Sequence, residues 1–267
     1  MKYDPIKDFF NKYISRKILA RKIFYKVLDF LFLRTWHVKK ELRSLYKKNV
    51  EITIYDAGMG FGQYTYYLSN RYQKSNILAV DIKEDQINDC HYFFEKIKKN
   101  NVLFKIEDLT KISHNNRFDL ILSVDVMEHI LEDELVFKNL SNSLKKGGVL
   151  LINTPSNLGG SDVNSEGEKS FIEEHARNGY SKNEIIEKLE KNGLRILKFK
   201  YTYGKMGSLS WKLSIKFPIK LLNISRLFII ILPIYYCLTI WLTTIFNFLD
   251  VYFANNKGSG IVVLAKK

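Results

Sequence analysis

The sequence predicts an α/β chain built on an open, mostly parallel sheet, and three observations carry the prediction. Short apolar runs alternate with helical stretches between residues 52 and 153, the pattern of successive βαβ units. The run Ile52-Thr53-Ile54-Tyr55-Asp56 ends in a carboxylate and leads into Ala57-Gly58-Met59-Gly60-Phe61-Gly62, with three glycines at alternate positions. Ile77-Leu78-Ala79-Val80-Asp81 then repeats the motif of an apolar strand ending in an acid. Glycine is needed where a ligand lies against the backbone, because a Cβ would block it. The glycine turn therefore makes a shelf at the carboxyl end of a strand, where open α/β sheets bind nucleotides.

Residues 1–49 precede this core. Phe9, Phe10, Tyr13, Ile14, Ile18, Leu19, Ile23, Phe24, Val27, Leu28 and Leu31 fall at helical spacings of three and four and mark one face of a basic amphipathic helix over residues 5–48. Such a stripe either packs on the core or lies on an anionic bilayer with its cationic face in the headgroups.

The core itself spans residues 50–203. Strands are predicted at 52–56, 77–81, 102–106, 119–124 and 148–153, with helices between them. The glycine spacing is G-x-G-x-G, whereas a dinucleotide fingerprint has G-x-G-x-x-G. Asp56 would repel a pyrophosphate but suits a ligand carrying an ammonium and a sulfonium. Asp81 stands where the acid after the second strand accepts hydrogen bonds from ribose hydroxyls. Glu107-Asp108-Leu109 follows the third strand, and from the residues alone Asp108 reads as a helix cap. The fourth strand runs out at Ser123, and the loop behind it carries Asp125, Glu128 and His129.

This constellation resembles the class I S-adenosylmethionine (SAM) methyltransferases, whose first motif has the form D/E-x-G-x-G-x-G. Asp-x-x-Glu-His followed by Leu-Lys-Lys-Gly-Gly-Val-Leu-Leu-Ile-Asn-Thr-Pro (144–155) is similar to the Type 11 and ubiquinone-type O-methyltransferases. The resemblance implies a Rossmann-like seven-stranded sheet and SAM as cofactor. It assigns cofactor contacts to Asp56, Gly58, Gly60, Gly62, Asp81, Ile82, Asp108, Leu109 and Ser123. In some quinone methyltransferases the residues matching Asp125, Glu128 and His129 hold a divalent cation, although the same letters occur in relatives with no metal role.

Segment 156–182 has little apolar periodicity and is expected to loop over the mouth of the site, where acceptor specificity resides. Its run from Glu174-His175 to Tyr180-Ser181 resembles the Type 11 loop in which His and Tyr face the acceptor. His129 or His175 is thus the expected general base, and Arg177 and Tyr180 the expected acceptor contacts. Ser181 and Glu184 read as a capping box for a helix over 182–192.

A sixth strand is predicted at 194–201, and a final antiparallel strand at 260–265. Between them lies an insertion of some 58 residues that departs from the family pattern. Leu227 to Leu249, bounded by Arg226 and Asp250, carries no charge and is long enough to span a bilayer. A single crossing would strand the last β-segment on the wrong side. Two half-length helices broken near Pro233 satisfy both constraints. The expectation is a monotopic hairpin in segment 204–258, with Tyr235, Tyr236 and Trp241 at the membrane–water interface. A homodimer seam is the alternative use of so much apolar surface.

Charge divides along the same lines. Residues 1–49 hold 14 Lys/Arg against 4 Asp/Glu, residues 50–197 hold 18 against 23, and residues 198–226 hold 7 against none. Basic flanks on a mildly acidic body point to an anionic membrane surface. A nucleic-acid partner is not expected, because the bases alternate with aliphatics rather than with exposed aromatics. Two distant cysteines suggest no disulfide framework, and Asp4 and Asp8 argue against a secretory signal, so a cytoplasmic enzyme on the inner face of the membrane is expected. Its acceptor would be a small molecule, lipidic or lipid-linked, methylated on oxygen; the alternatives are a soluble sugar or metabolite acceptor with the insertion as a homodimer interface, and a membrane-tethered SAM-binding module without catalysis.

Overall fold

The computed structural model describes Ile14 and residues 17–159 and 176–267. Seven strands form one sheet: β1 (Thr53–Ala57), β2 (Asn76–Asp81), β3 (Val102–Ile106), β4 (Phe118–Val124), β5 (Leu144–Pro155), β6 (Arg195–Thr202) and β7 (Gly260–Lys266). Their order is β3-β2-β1-β4-β5-β7-β6, and β7 runs antiparallel to both its neighbours. The predicted final strand is therefore present and inserts where expected. Strand order reverses between the parallel neighbours β1 and β4, so the connections leaving these strands run to opposite sides and open a crevice at their carboxyl ends.

The central strands read as continuous apolar runs because both of their faces are covered. Tyr55, Ile121, Leu150 and Ile152 face a core under α5 (Asp133–Ser143) and α6 (Lys182–Lys191). Ile54, Leu120, Leu122 and Leu151 face the opposite core, closed by α2 (Leu33–Leu45) and α3 (Gln63–Arg71). A third cluster lies beneath α4 (Glu84–Lys96) and α1 (Ile18–Leu31). At α6 both bonds of the Ser181–Glu184 capping box are made.

The N-terminal segment differs from the single helix expected. It breaks at Phe32, whose backbone is extended (φ −89°, ψ 111°), into α1 and α2. The break lets α2 bury Val38 and Leu42 on the sheet while α1 crosses toward α4. The face that α1 buries is polar, consisting of Arg21 and Tyr25, whereas Leu19, Ile23, Val27 and Phe30 are exposed. Phe9, Phe10 and Tyr13 lie outside the described residues.

The insertion is a helical hairpin. α7 (Lys205–Trp211), a wide turn of helix at Lys212–Lys216 and α8 (Phe217–Ile224) run outward, and α9 (Leu232–Tyr252) returns. Thr202 and Gly260, at its two ends, are direct register partners on β6 and β7. The returning helix has 21 residues and is not half-length, because Pro233 falls in its first turn, where no hydrogen bond is lost. Tyr235 and Tyr236 donate to the carbonyls of Leu213 (2.7 Å) and Ser214 (2.8 Å), in the wide turn of the outgoing rod. They therefore cross-link the hairpin, a role the sequence did not suggest. Trp241 remains 73% exposed.

Asp250 anchors the assembly. Read from sequence as the polar boundary of an apolar run, it is buried and accepts hydrogen bonds from the N–H groups of Tyr203 (3.1 Å), Gly204 (2.8 Å) and Gly207 (3.2 Å). A Cβ on Gly207 would sit 2.6 Å from the Asp250 carboxylate, so glycine permits this approach.

Candidate active site

Gly58, Gly60 and Gly62 all adopt left-handed backbone (φ 79°, 53° and 76°), which explains three glycines at alternate positions. The N–H groups of Gly58 and Met59 both donate to the Val80 carbonyl, folding the loop onto the end of β2. The Gly60 N–H donates to Asp81 Oδ2 at 3.0 Å, while Asp81 Oδ1 accepts from the Lys83 N–H at 3.0 Å. A Cβ built on Gly60 would meet nothing within 4 Å, so the space before the shelf is open. From the other side, Arg21 and Tyr25 of α1 clamp the loop, both donating to the Phe61 carbonyl.

The shelf opens into a cleft of about 2180 Å³. Gly58, Gly60, Asp81, Ile82, Asp108, Leu109 and His129 line it, as the sequence led one to expect. Asp108 Oδ1 accepts from the N–H and hydroxyl of Thr110, bonds that hold its carboxyl below the ordinary range. It caps a turn, not a helix.

Other expected site residues lie elsewhere. Asp56 shares a face of β1 with Ile54, so its carboxylate is buried toward α3 and accepts from the Thr65 hydroxyl at 2.6 Å. Burial, reinforced by Asp81, pushes its pKa up to about 7 against the pull of Thr65. Gly62 begins α3 behind the shelf, and Ser123 is enclosed within β4, while the next residues, Val124 and Asp125, reach the cleft. The Tyr180 hydroxyl is fully buried, donating to Asp133 (2.8 Å) and to the Met127 carbonyl (3.2 Å). Arg177 pairs with the same Asp133 at 2.8 Å. Tyr180 and Arg177 thus brace the loop after β4 and do not line the cleft. His175 lies outside the described residues.

The wall facing the shelf holds residues that sequence reasoning missed or misplaced. Arg34, near the start of α2, pairs with Asp125, a residue with positive φ (52°), and its N–H donates to the Tyr203 hydroxyl at 3.2 Å. Glu128 is buried and accepts from the Thr154 hydroxyl at 3.0 Å. Burial and the neighbouring Asp125 push its pKa up to about 8, so it carries a proton at neutral pH. With Asp125 directed to Arg34 and Glu128 to Thr154, no group of three or more His, Cys, Asp and Glu able to hold a metal is gathered among the described residues.

Comparison with known proteins decides the family. A family model described as a methyltransferase domain matches residues 48–200, more than half of the chain. The chain belongs to the class I SAM-dependent methyltransferases.

The curated relatives of this methyltransferase include both O- and N-methylating enzymes. It is 30% identical over 131 residues to malonyl-[acyl-carrier protein] O-methyltransferase 2 of Ilyobacter polytropus, covering 48% of this chain and 49% of the relative. It is 33% identical over 95 residues to N-methyltransferase 4 of Papaver somniferum, covering 35% and 27%. The chain thus spans about half or less of the length of these relatives. Among solved structures, phosphoethanolamine N-methyltransferase 2 of Haemonchus contortus, in complex with SAM, superposes at TM-score 0.65 with 16% identity, over 97% of this chain and 59% of the other. A SAM-dependent methyltransferase from Aquifex aeolicus superposes at 0.53 with 23% identity, over 75% and 93%.

Much of the far half of the methyltransferase cleft comes from outside the matched region. Arg34, Tyr203, Lys205, Trp211 and Lys212 line it, and α1 and the hairpin supply most of its apolar wall. No local motif marks these residues, which meet only through contacts distant in sequence.

Proposed function

We propose that this chain transfers a methyl group from SAM to a hydroxyl of a lipidic or lipid-linked small molecule, working as a peripheral or monotopic enzyme on the cytoplasmic face of a membrane. One observation carries the reading. The cleft that begins at the glycine shelf continues into an apolar wall made by Leu28 and Leu31 of α1 and Trp211, Ile215, Ile219 and Tyr236 of the hairpin. The outer surface of the hairpin is also apolar, with Leu227, Ile234, Leu238, Trp241 and Ile245 all more than half exposed. A surface of this kind calls for a partner.

The shelf suits the cofactor. Asp81 has lone pairs remaining for ribose hydroxyls, Ile82 is an exposed apolar platform for a purine beside Leu109, and Asp108 is an ionised acceptor for its amine. When bound, SAM supplies an electrophilic methyl on sulfur. The chain's own contribution is to orient the acceptor in line and keep water out, which α1 and the hairpin do by roofing the cleft. Proton removal from the hydroxyl falls to His129, exposed at the rim, or to His175. Glu128, protonated at neutral pH, is suited to donate a hydrogen bond there and not to act as the base.

The test is transfer from radiolabelled SAM into a membrane extract, followed by partition between organic and aqueous phases. Label in the organic phase is expected. Label confined to the aqueous phase would replace this reading with a soluble acceptor and make the outer face of α9 a homodimer seam.

A further inference from the structure

Resting on the lipidic reading above, we infer that the acceptor is an anionic amphiphile: a molecule whose hydrocarbon chain lies between α1 and the hairpin and whose phosphate head is held by Lys205, Lys212 and Lys257. These three lysines line the cleft at the end formed by the hairpin and the start of β7, next to Trp211 and Ile215. Among the described residues, the carboxylates of the cleft do not balance them. Asp81, Glu107 and Asp108 belong to the shelf, and Glu132 lies in the loop after β4 that carries His129. At the acceptor end, Asp125 is already paired with Arg34, and Glu128 is buried and accepts from Thr154. Residues 198–226 contain no acidic residue, and Asp250 of the returning helix is committed to His37 and the N–H groups of Tyr203 and Gly204.

Apolar surface and unbalanced positive charge side by side select for a ligand with both properties. A neutral lipid would leave the lysines without a counter-charge, and a free phosphate would leave the apolar wall in water. Lysine, a mobile point charge on a long aliphatic stem, suits this position because its stem extends the apolar wall while its ammonium reaches the head.

The experiment uses the full chain loaded with S-adenosylhomocysteine and follows tryptophan fluorescence, because Trp211 lies in the cleft. Hexadecyl phosphate, hexadecanol and inorganic phosphate are titrated separately, the amphiphiles below their aggregation concentrations. Hexadecyl phosphate is expected to bind about tenfold or more tightly than hexadecanol, given the attraction of each basic side chain for an anionic head. Inorganic phosphate should bind negligibly. The double variant Lys205→Ala/Lys212→Ala should lose the preference between the two amphiphiles and keep its affinity for S-adenosylhomocysteine. Equal binding of hexadecanol and hexadecyl phosphate would overturn the anionic head and leave a lipidic acceptor standing. Tight binding of inorganic phosphate, or no binding of either amphiphile by a protein that still binds S-adenosylhomocysteine, would overturn both this inference and the lipidic acceptor.

Discussion

The imidazole Nε2 of His37 lies 2.8 Å from the carboxylate of Asp250, both side chains buried, and this contact ties α2 to the last turn of the hairpin. The same carboxylate closes the turn where the hairpin leaves the sheet, so one side chain fixes both ends of the insertion and the helix behind it. Removing that carboxylate leaves the imidazole and the buried N–H groups of Tyr203, Gly204 and Gly207 without their acceptor. At about 1–3 kcal/mol for each buried donor left unsatisfied, Asp250→Ala should cost about 3–5 kcal/mol in urea unfolding. Loss of less than about 1 kcal/mol would mean that the hairpin is held by its apolar contacts alone.

His37 also gives stability an acid limb. Burial lowers its pKa more than Asp250 raises it, so the unfolded chain takes up a proton here more readily than the folded one. Stability is then intact above the ordinary imidazole value of about 6.5 and declines as pH falls through it. Thermal unfolding of wild type and His37→Gln between pH 5 and pH 8, about one unit and more either side of that value, should show a shallower acid decline in the variant.

Asp56 behaves oppositely. Its pKa is raised by burial to about 7, above its unfolded value, so the stability it contributes below the unfolded value is lost as pH rises through the folded value. Asp56→Asn, which can still accept from Thr65, should be more stable than wild type above pH 7 by roughly 2 kcal/mol. Its affinity for SAM, measured by calorimetry, should change little, whereas Asp81→Ala should abolish measurable binding. A collapse of SAM affinity in Asp56→Asn would restore Asp56 as a direct ligand.

Arg21 holds the Phe61 and Asp89 carbonyls at 2.9 and 2.8 Å and lies over the Phe93 ring. The glycine loop is thereby held from the side away from the cleft. Arg21→Ala should weaken SAM binding by about tenfold through loss of charge-assisted hydrogen bonds. Unchanged affinity would show that the loop is rigid without α1.

Leu238 and Trp241 are each 73% exposed on the outer face of α9. Leu238→Glu/Trp241→Glu should fold normally and lose most of its co-sedimentation with anionic vesicles. If it sediments as wild type does, the vesicle contact lies elsewhere; a shift from dimer to monomer instead would identify the face as a seam between two copies.

The strands were legible because buried parallel strands leave unbroken apolar runs, and the shelf because left-handed backbone leaves glycines at fixed spacing. Asp81, Ile82, Asp108, Leu109 and His129 could be located at the cleft because each ends a strand or lies in the loop beyond it. Asp56 could not, because the alternation of β1 and a threonine nine residues later turn its carboxylate away from the cleft. Nor could Arg34, Tyr203 and Lys205, which reach the cleft only once α2 and the hairpin have docked. The acid at the end of the apolar run looked like a boundary with water and is instead the hairpin's internal anchor.

The pairing of Thr202 with Gly260 means that the hairpin leaves and re-enters the sheet through a single doorway. A short turn could bridge those two positions without altering the register of any strand. The hairpin can therefore vary without redrawing the sheet, provided that a partner for His37 is kept; on the function proposed above, such a change would alter the acceptor and leave the glycine shelf in place.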